Sequence, residues 1–114
     1  MVATDAPLLP HQLRRVAKRP SLALGRLGAV SQDGSGDIFV AFSTANPGLV
    51  SEDELSNVAM YPNNGLSDLF FATVYATEEA IVNAMVGAKT MTGAGGFRVR
   101  ELPEEQVRAL FSGE

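Results

Sequence analysis

Apolar positions change their period several times along the chain, and each change marks an element. Met1-Val2-Ala3-Thr4 reads as the tail of a β-strand that runs into Asp5-Ala6-Pro7. Pro10 suits a first helical position, after which Leu13, Val16 and Ala17 make an apolar stripe. Arg14, Arg15 and Lys18 fall on the wet side near the C-terminal end of that helix, where cations complement its dipole. From Leu22 to Val30, and again from Ile38 to Thr44, small and apolar residues fill both parities, with Gln32-Asp33-Gly34 between them as turn chemistry. The pattern predicts a β-hairpin buried on both faces, which needs cover on two sides and so favours a layered α+β arrangement. Asn46-Pro47-Gly48 ends the second strand, and Val58 to Tyr61 reads as a short third one before Pro62-Asn63-Asn64-Gly65.

A long helix is predicted from about Ser67 to Ala88, with Ser67 as N-cap. Phe70, Val74, Ile81, Met85 and Ala88 form one stripe, and Phe71, Tyr75, Val82 and Val86 form a second. An apolar surface that wide implies a helix packed between two partners rather than one. Thr92-Gly93-Ala94-Gly95-Gly96 is a flexible turn, and a closing helix from Pro103 to Phe111 has Glu104 and Glu105 in its first turn. No internal repeat is evident. The expectation is a single domain over residues 1–114, whose size allows roughly two thirds of the unfolded surface to be buried.

Composition narrows the chemistry. Hydrophobic residues make up 46% and charged residues 19%, an ordinary globular balance that leaves too little charge for a disordered tail. A net charge of -4 argues against nucleic acid, so the basic cluster Arg14, Arg15, Lys18 and Arg19 is read as a solvated helix end. With no cysteine and only His11 for an imidazole, neither a disulfide framework nor a metal site is expected, and no cofactor is implied. No apolar run is read as approaching the roughly 20 residues of a membrane span, and the start lacks signal-peptide features, so a soluble cytoplasmic protein is expected.

The glycine-rich spots Gly34-Ser35-Gly36, Asn64-Gly65 and Gly93-Ala94-Gly95-Gly96 lack phosphate-loop and dinucleotide spacing and are read as turns. Asp33 to Asp37 begins like a calcium loop, yet the turn glycine is misplaced and Thr44 stands where a bidentate Glu is required. Ser35 and Asp37 remain as candidates. Two positions apart on an extended strand, they point to one side, where a hydroxyl backed by a carboxylate can orient a neighbouring amine or hydroxyl.

The runs Val2-Ala3-Thr4-Asp5-Ala6-Pro7-Leu8, Gly34-Ser35-Gly36-Asp37-Ile38, Ala41-Phe42-Ser43-Thr44-Ala45-Asn46, Ala76-Thr77-Glu78-Glu79-Ala80-Ile81 and Thr90-Met91-Thr92-Gly93 occur in order over nearly the whole chain. Together they resemble the β chain of DmpA-type aminopeptidases, the family of L-aminopeptidase/D-amidase-esterases and β-peptidyl aminopeptidases. The resemblance implies a precursor that cuts itself once into an α chain and a β chain, the two staying together in an αββα sandwich of which this chain supplies half. It also implies a β chain whose first residue, a serine, is the nucleophile, assisted by a second serine and an acidic residue that fall on Ser35 and Asp37. A serine at a chain start carries its own α-amine, with a pKa of about 7.7 to 8, as the base. His11 is then not needed and is read as a surface or cap residue.

By the same resemblance the nucleophile precedes Ala3 by about five positions and lies upstream of Met1. Internal Ser21, Ser31 and Ser43 have no free amine to replace it, and this chain alone is expected to be inactive. Met1 is then either a start inside a longer precursor or the start of a remnant. The implied partners are the α chain of the same precursor and a small peptide, amide or ester substrate, in a homo-oligomer of αβ units. Two alternatives stand beside this reading: a non-catalytic assembly module, and an acyltransferase of the ornithine acetyltransferase type with a threonine nucleophile.

Overall fold

The structure is a computed structural model that describes residues 1–49 and 54–112. Its contacts divide the chain into two compact units, Met1–Glu78 and Glu79–Glu114. The first unit begins with strand β1 (Val2–Thr4), followed by helices α1 (Pro10–Val16) and α2 (Pro20–Arg26) and strand β2 (Ala41–Ser43). A 3-10 turn at Asn63–Gly65 leads into helix α3 (Leu66–Gly87), whose later residues belong to the second unit. There it is followed by strands β3 (Met91–Thr92) and β4 (Arg98–Val99) and helix α4 (Glu104–Phe111). The α+β class read from the sequence holds, as do the strand at the start and the helices that open near Pro10, Ser67 and Pro103.

The hairpin does not form. Leu22 to Arg26 is helical, because Pro20 presets the first turn and the segment that follows contains good helix formers and no β-branched residue. Apolar residues at both parities are compatible with a short helix as readily as with a buried strand, and Ala23, fully buried, marks the inner side of α2. Of the second predicted strand only Ala41–Ser43 pairs. It pairs in parallel with β1, in the register Val2↔Ala41, Ala3↔Phe42, Thr4↔Ser43, with α1 and α2 in the crossover that parallel strands need. Nor is Val58–Tyr61 a strand: the Asn46 side chain takes both backbone groups of Ala59, and the Tyr61 N–H donates to the Pro7 carbonyl at 2.7 Å.

The core of the first unit is small, formed by Leu8, Val16 and Leu66 with Val2, Leu13 and Leu69 packed against them. One polar side chain sits inside it. Gln12, fully buried, accepts from the Leu9 N–H at 3.0 Å and donates to the Tyr61 carbonyl at 2.7 Å and to Asn63 Oδ1 at 2.8 Å. It thus supplies the start of α1, where Leu9 has no capping side chain, and ties that start to the turn ahead of α3. Gly65 in that turn is required by space, since a Cβ there would lie 2.8 Å from the Tyr61 ring. Phe70 carries the guanidinium of Arg19 at 3.9 Å and that of Arg15 at 5.1 Å, so these two members of the basic cluster lie on an aromatic ring, Arg15 exposed and Arg19 half-buried.

Helix α3 starts at Leu66, directly out of the 3-10 turn, which leaves Ser67 inside the helix rather than capping it. Only Leu66 and Thr73 are buried along it, while Phe71 (61% exposed), Tyr75, Val82 and Val86 (65%) are open. Together with the turn ahead of it, Asn63–Gly87 is long and apolar enough to cross a membrane by length and composition alone, which corrects the sequence reading that no run approaches such a length. In the second unit β3 and β4 pair antiparallel, Met91↔Val99 and Thr92↔Arg98, around Gly95 and Gly96 at φ 65° and 76°. The glycines read as a flexible turn therefore close a hairpin that periodicity had not shown.

Candidate active site

Ser35 and Asp37 lie in the loop between α2 and β2, not on a strand. Gly34, at φ 87°, closes a turn in which the Ser35 N–H donates to the Gln32 carbonyl at 2.8 Å, a backbone geometry that favours glycine. Beyond that turn the Ser35 hydroxyl donates to Asp37 Oδ2 at 2.7 Å. Both side chains are exposed, so the pair is free to act on a third group rather than being consumed by packing. The expectation that the two would lie side by side is met in geometry, although by a loop and not by strand alternation.

The position of the loop follows from the sheet. β1 and β2 run in the same direction, and the Val2 N–H donates to the Val40 carbonyl at 2.8 Å. Asp37 precedes Val40 by three residues, so it is at most about 11 Å along the chain from the end of the sheet at which β1 enters. The opposite end of the same strands is locked by polar side chains. Ser43 Oγ donates to the Ala6 carbonyl and accepts from the Ala45 N–H, Thr4 Oγ1 accepts from the Ala6 N–H, and Asn46 clamps Ala59. Sequence reading placed Asn46 only as the end of a strand and gave Ser43 no structural role; the signal for both was a polar run directly after an apolar strand.

The remaining candidates fall elsewhere. His11 is exposed on the first turn of α1, as expected of a surface residue. Arg26 pairs with Glu78 at 2.6 Å, and this hydrogen bond, followed by the charge of Glu78, raises the guanidinium pKa above its ordinary value. Among the described residues no group of three or more His, Asp or Glu side chains is placed to hold a metal ion. An open depression of about 540 Å³ in the second unit, lined in part by Lys89, Arg98, Arg100 and Glu101, contains neither Ser35 nor Asp37.

Comparison with known proteins bears on what this arrangement serves. The chain is 49% identical over 112 residues to the β-peptidyl aminopeptidase BapA of Sphingosinicella microcystinivorans, covering 97% of this chain and 28% of that protein. Among solved structures it resembles a protein of Pyrococcus horikoshii OT3, with a TM-score of 0.86 and 44% identity over 93% of this chain and 30% of that one. It also resembles the L-aminopeptidase D-Ala-esterase/amidase of Ochrobactrum anthropi, a serine aminopeptidase with a variant of the Ntn hydrolase fold. There the TM-score is 0.81 and the identity 41%, over 93% of this chain and 30% of that one. The chain thus spans less than a third of the length of these relatives. Residues 1–99 match Peptidase family S58, and the chain belongs to that family.

Proposed function

We propose that this chain is the β-chain portion of a self-processing serine aminopeptidase that removes N-terminal residues from small peptides, amides or esters. Ser35 and Asp37 orient its nucleophile. The observation that carries the reading is the parallel register of β1 and β2. The nucleophilic serine expected from the family resemblance lies about five positions before Ala3, which is four before Val2; four before Ala41, the partner of Val2, is Asp37. A strand continued backward in this register brings that serine opposite the carboxylate that already accepts from Ser35.

The chemistry is then balanced by few groups. The serine hydroxyl attacks the substrate carbonyl while its proton passes to the serine's own α-amine, and the leaving amine takes a proton as the C–N bond breaks. Water hydrolyses the resulting ester by the same route. The Ser35 hydroxyl and Asp37 carboxylate favour the protonated amine by hydrogen bonding and charge, and oxyanion donors come from outside this chain. The two-layer sheet of an αββα sandwich suits the bare side of β1 and β2, where Ala3 and Phe42 are exposed.

The test is the precursor with its upstream serine, assayed on a small amino-acid amide. Ser35→Ala and Asp37→Ala should each lower kcat by about 10²- to 10⁴-fold. Unchanged turnover in both variants would remove the pair from the mechanism. The exposed apolar length of α3 favours a second reading, a non-catalytic assembly module; binding of an α chain with no amide hydrolysis by the processed complex would select it.

A further inference from the structure

The depression of about 540 Å³ in the second unit has the size of an ordinary small-ligand site, and the proposed reaction makes no use of it. The β3–β4 hairpin and the start of α4 build it. Residues two apart on an extended chain share a side, and Arg98 and Arg100 both line the depression while Val99 between them does not. Two of the acids beside them are already engaged. The Glu101 carboxylate accepts from the Thr90 N–H at 3.4 Å and lies 3.9 Å from Lys89 Nζ, and Glu104 takes the Arg108 guanidinium at 2.6 Å. Among the described residues neither Arg98 nor Arg100 has an acidic partner, and Glu105, on the same lining, has no basic one. Leu102 and Val107 add apolar wall.

We infer that this depression binds an apolar amino acid or dipeptide by its free carboxylate, its free amine and its side chain together. Two guanidinium groups on one side of a strand repel each other and present planar N–H forks, and a carboxylate satisfies both the charge and the geometry. Glu105 selects against a phosphate, whose second negative charge it repels, and accepts instead from an ammonium group. Leu102 and Val107 take an apolar side chain out of water. The inference rests on the proposed function in one respect, that such zwitterions are what an aminopeptidase releases; the binding itself calls on neither Ser35 nor Asp37.

Equilibrium dialysis of the chain against isotopically labelled leucine and leucyl-leucine tests this, and retention by either should saturate at about millimolar concentration. Arg98→Gln and Arg100→Gln should each weaken it about tenfold, with Arg98→Lys and Arg100→Lys falling between, and leucinamide and leucyl-leucinamide, which lack the carboxylate, should compete about tenfold less well. Glu105→Gln should weaken retention several-fold and abolish the preference over N-acetyl-leucine. All these side chains are exposed, so thermal unfolding should not move. The inference is overturned by the absence of saturable retention, by unchanged retention in the Arg98→Gln/Arg100→Gln double variant, by amides that compete as well as acids, or by inorganic phosphate that displaces the ligand as well as leucine does, the mark of a mere anion patch. Loss of retention in Asp37→Ala would place the ligand at the candidate active site and overturn it too. Saturable retention with no amide hydrolysis by the processed precursor would sink the enzymatic reading and leave the binding site standing; hydrolysis without retention would do the reverse.

Discussion

A hydroxyl and a carboxylate 2.7 Å apart on an exposed loop contribute little to folding, and that separates their two possible roles. Ser35→Ala and Asp37→Ala should shift the stability of this chain by less than about 0.5 kcal/mol in urea unfolding, so any loss of turnover found under the proposed function could not be blamed on misfolding. Gln12 is the contrasting case. Gln12→Leu keeps the volume but strands the Leu9 N–H and the Tyr61 carbonyl, and should cost about 2–4 kcal/mol by the same measurement. Arg26 supplies a pH argument of definite sign. Its pKa is raised by Glu78, so its contribution is complete at neutral and acidic pH as far as the guanidinium is concerned, and fades only as strongly alkaline pH removes that proton. The pair is half open to water, and added salt should weaken it.

Among the elements, the turn ahead of α3 is the tightest. Gly65→Ala should displace the Tyr61 ring and destabilise the first unit by about 1–3 kcal/mol, whereas Gly93→Ala, whose added carbon would meet only the Phe97 carbonyl at 3.7 Å, should have a much smaller effect in the same thermal melt. The helices that open near Pro10 and Pro103 and the long periodic run of α3 were legible from the sequence, because their signals are local; α2, which also opens on a proline, was not. The hairpin was misread because Leu22 to Val30 carries no period that separates a helix from a buried strand. Its actual resolution depends on β1 as partner for Ala41–Ser43, a contact nearly forty residues away in sequence. The Ser35–Asp37 pair was legible because their spacing of two residues brings them together in a loop as well as in a strand, while the roles of Ser43 and Asn46 were hidden because their partners, Ala6 and Ala59, are remote in sequence.

At the scale of the molecule the dominant fact is exposed apolar surface. Phe71, Tyr75, Val82, Met85 and Val86 are exposed on one helix, as are Ile38 and Phe42 elsewhere, and exposed apolar surface of this kind marks sites of association. The chain alone should therefore self-associate at micromolar concentrations, and light scattering should fall when the remaining portion of an S58 relative is co-expressed with it; a stable, monodisperse monomer would contradict this. The shared direction of β1 and β2 also has a practical consequence. An affinity tag or fusion partner joined ahead of Met1 would be threaded past Ile38 and Phe39 and would crowd the very hydroxyl that an assay seeks to probe.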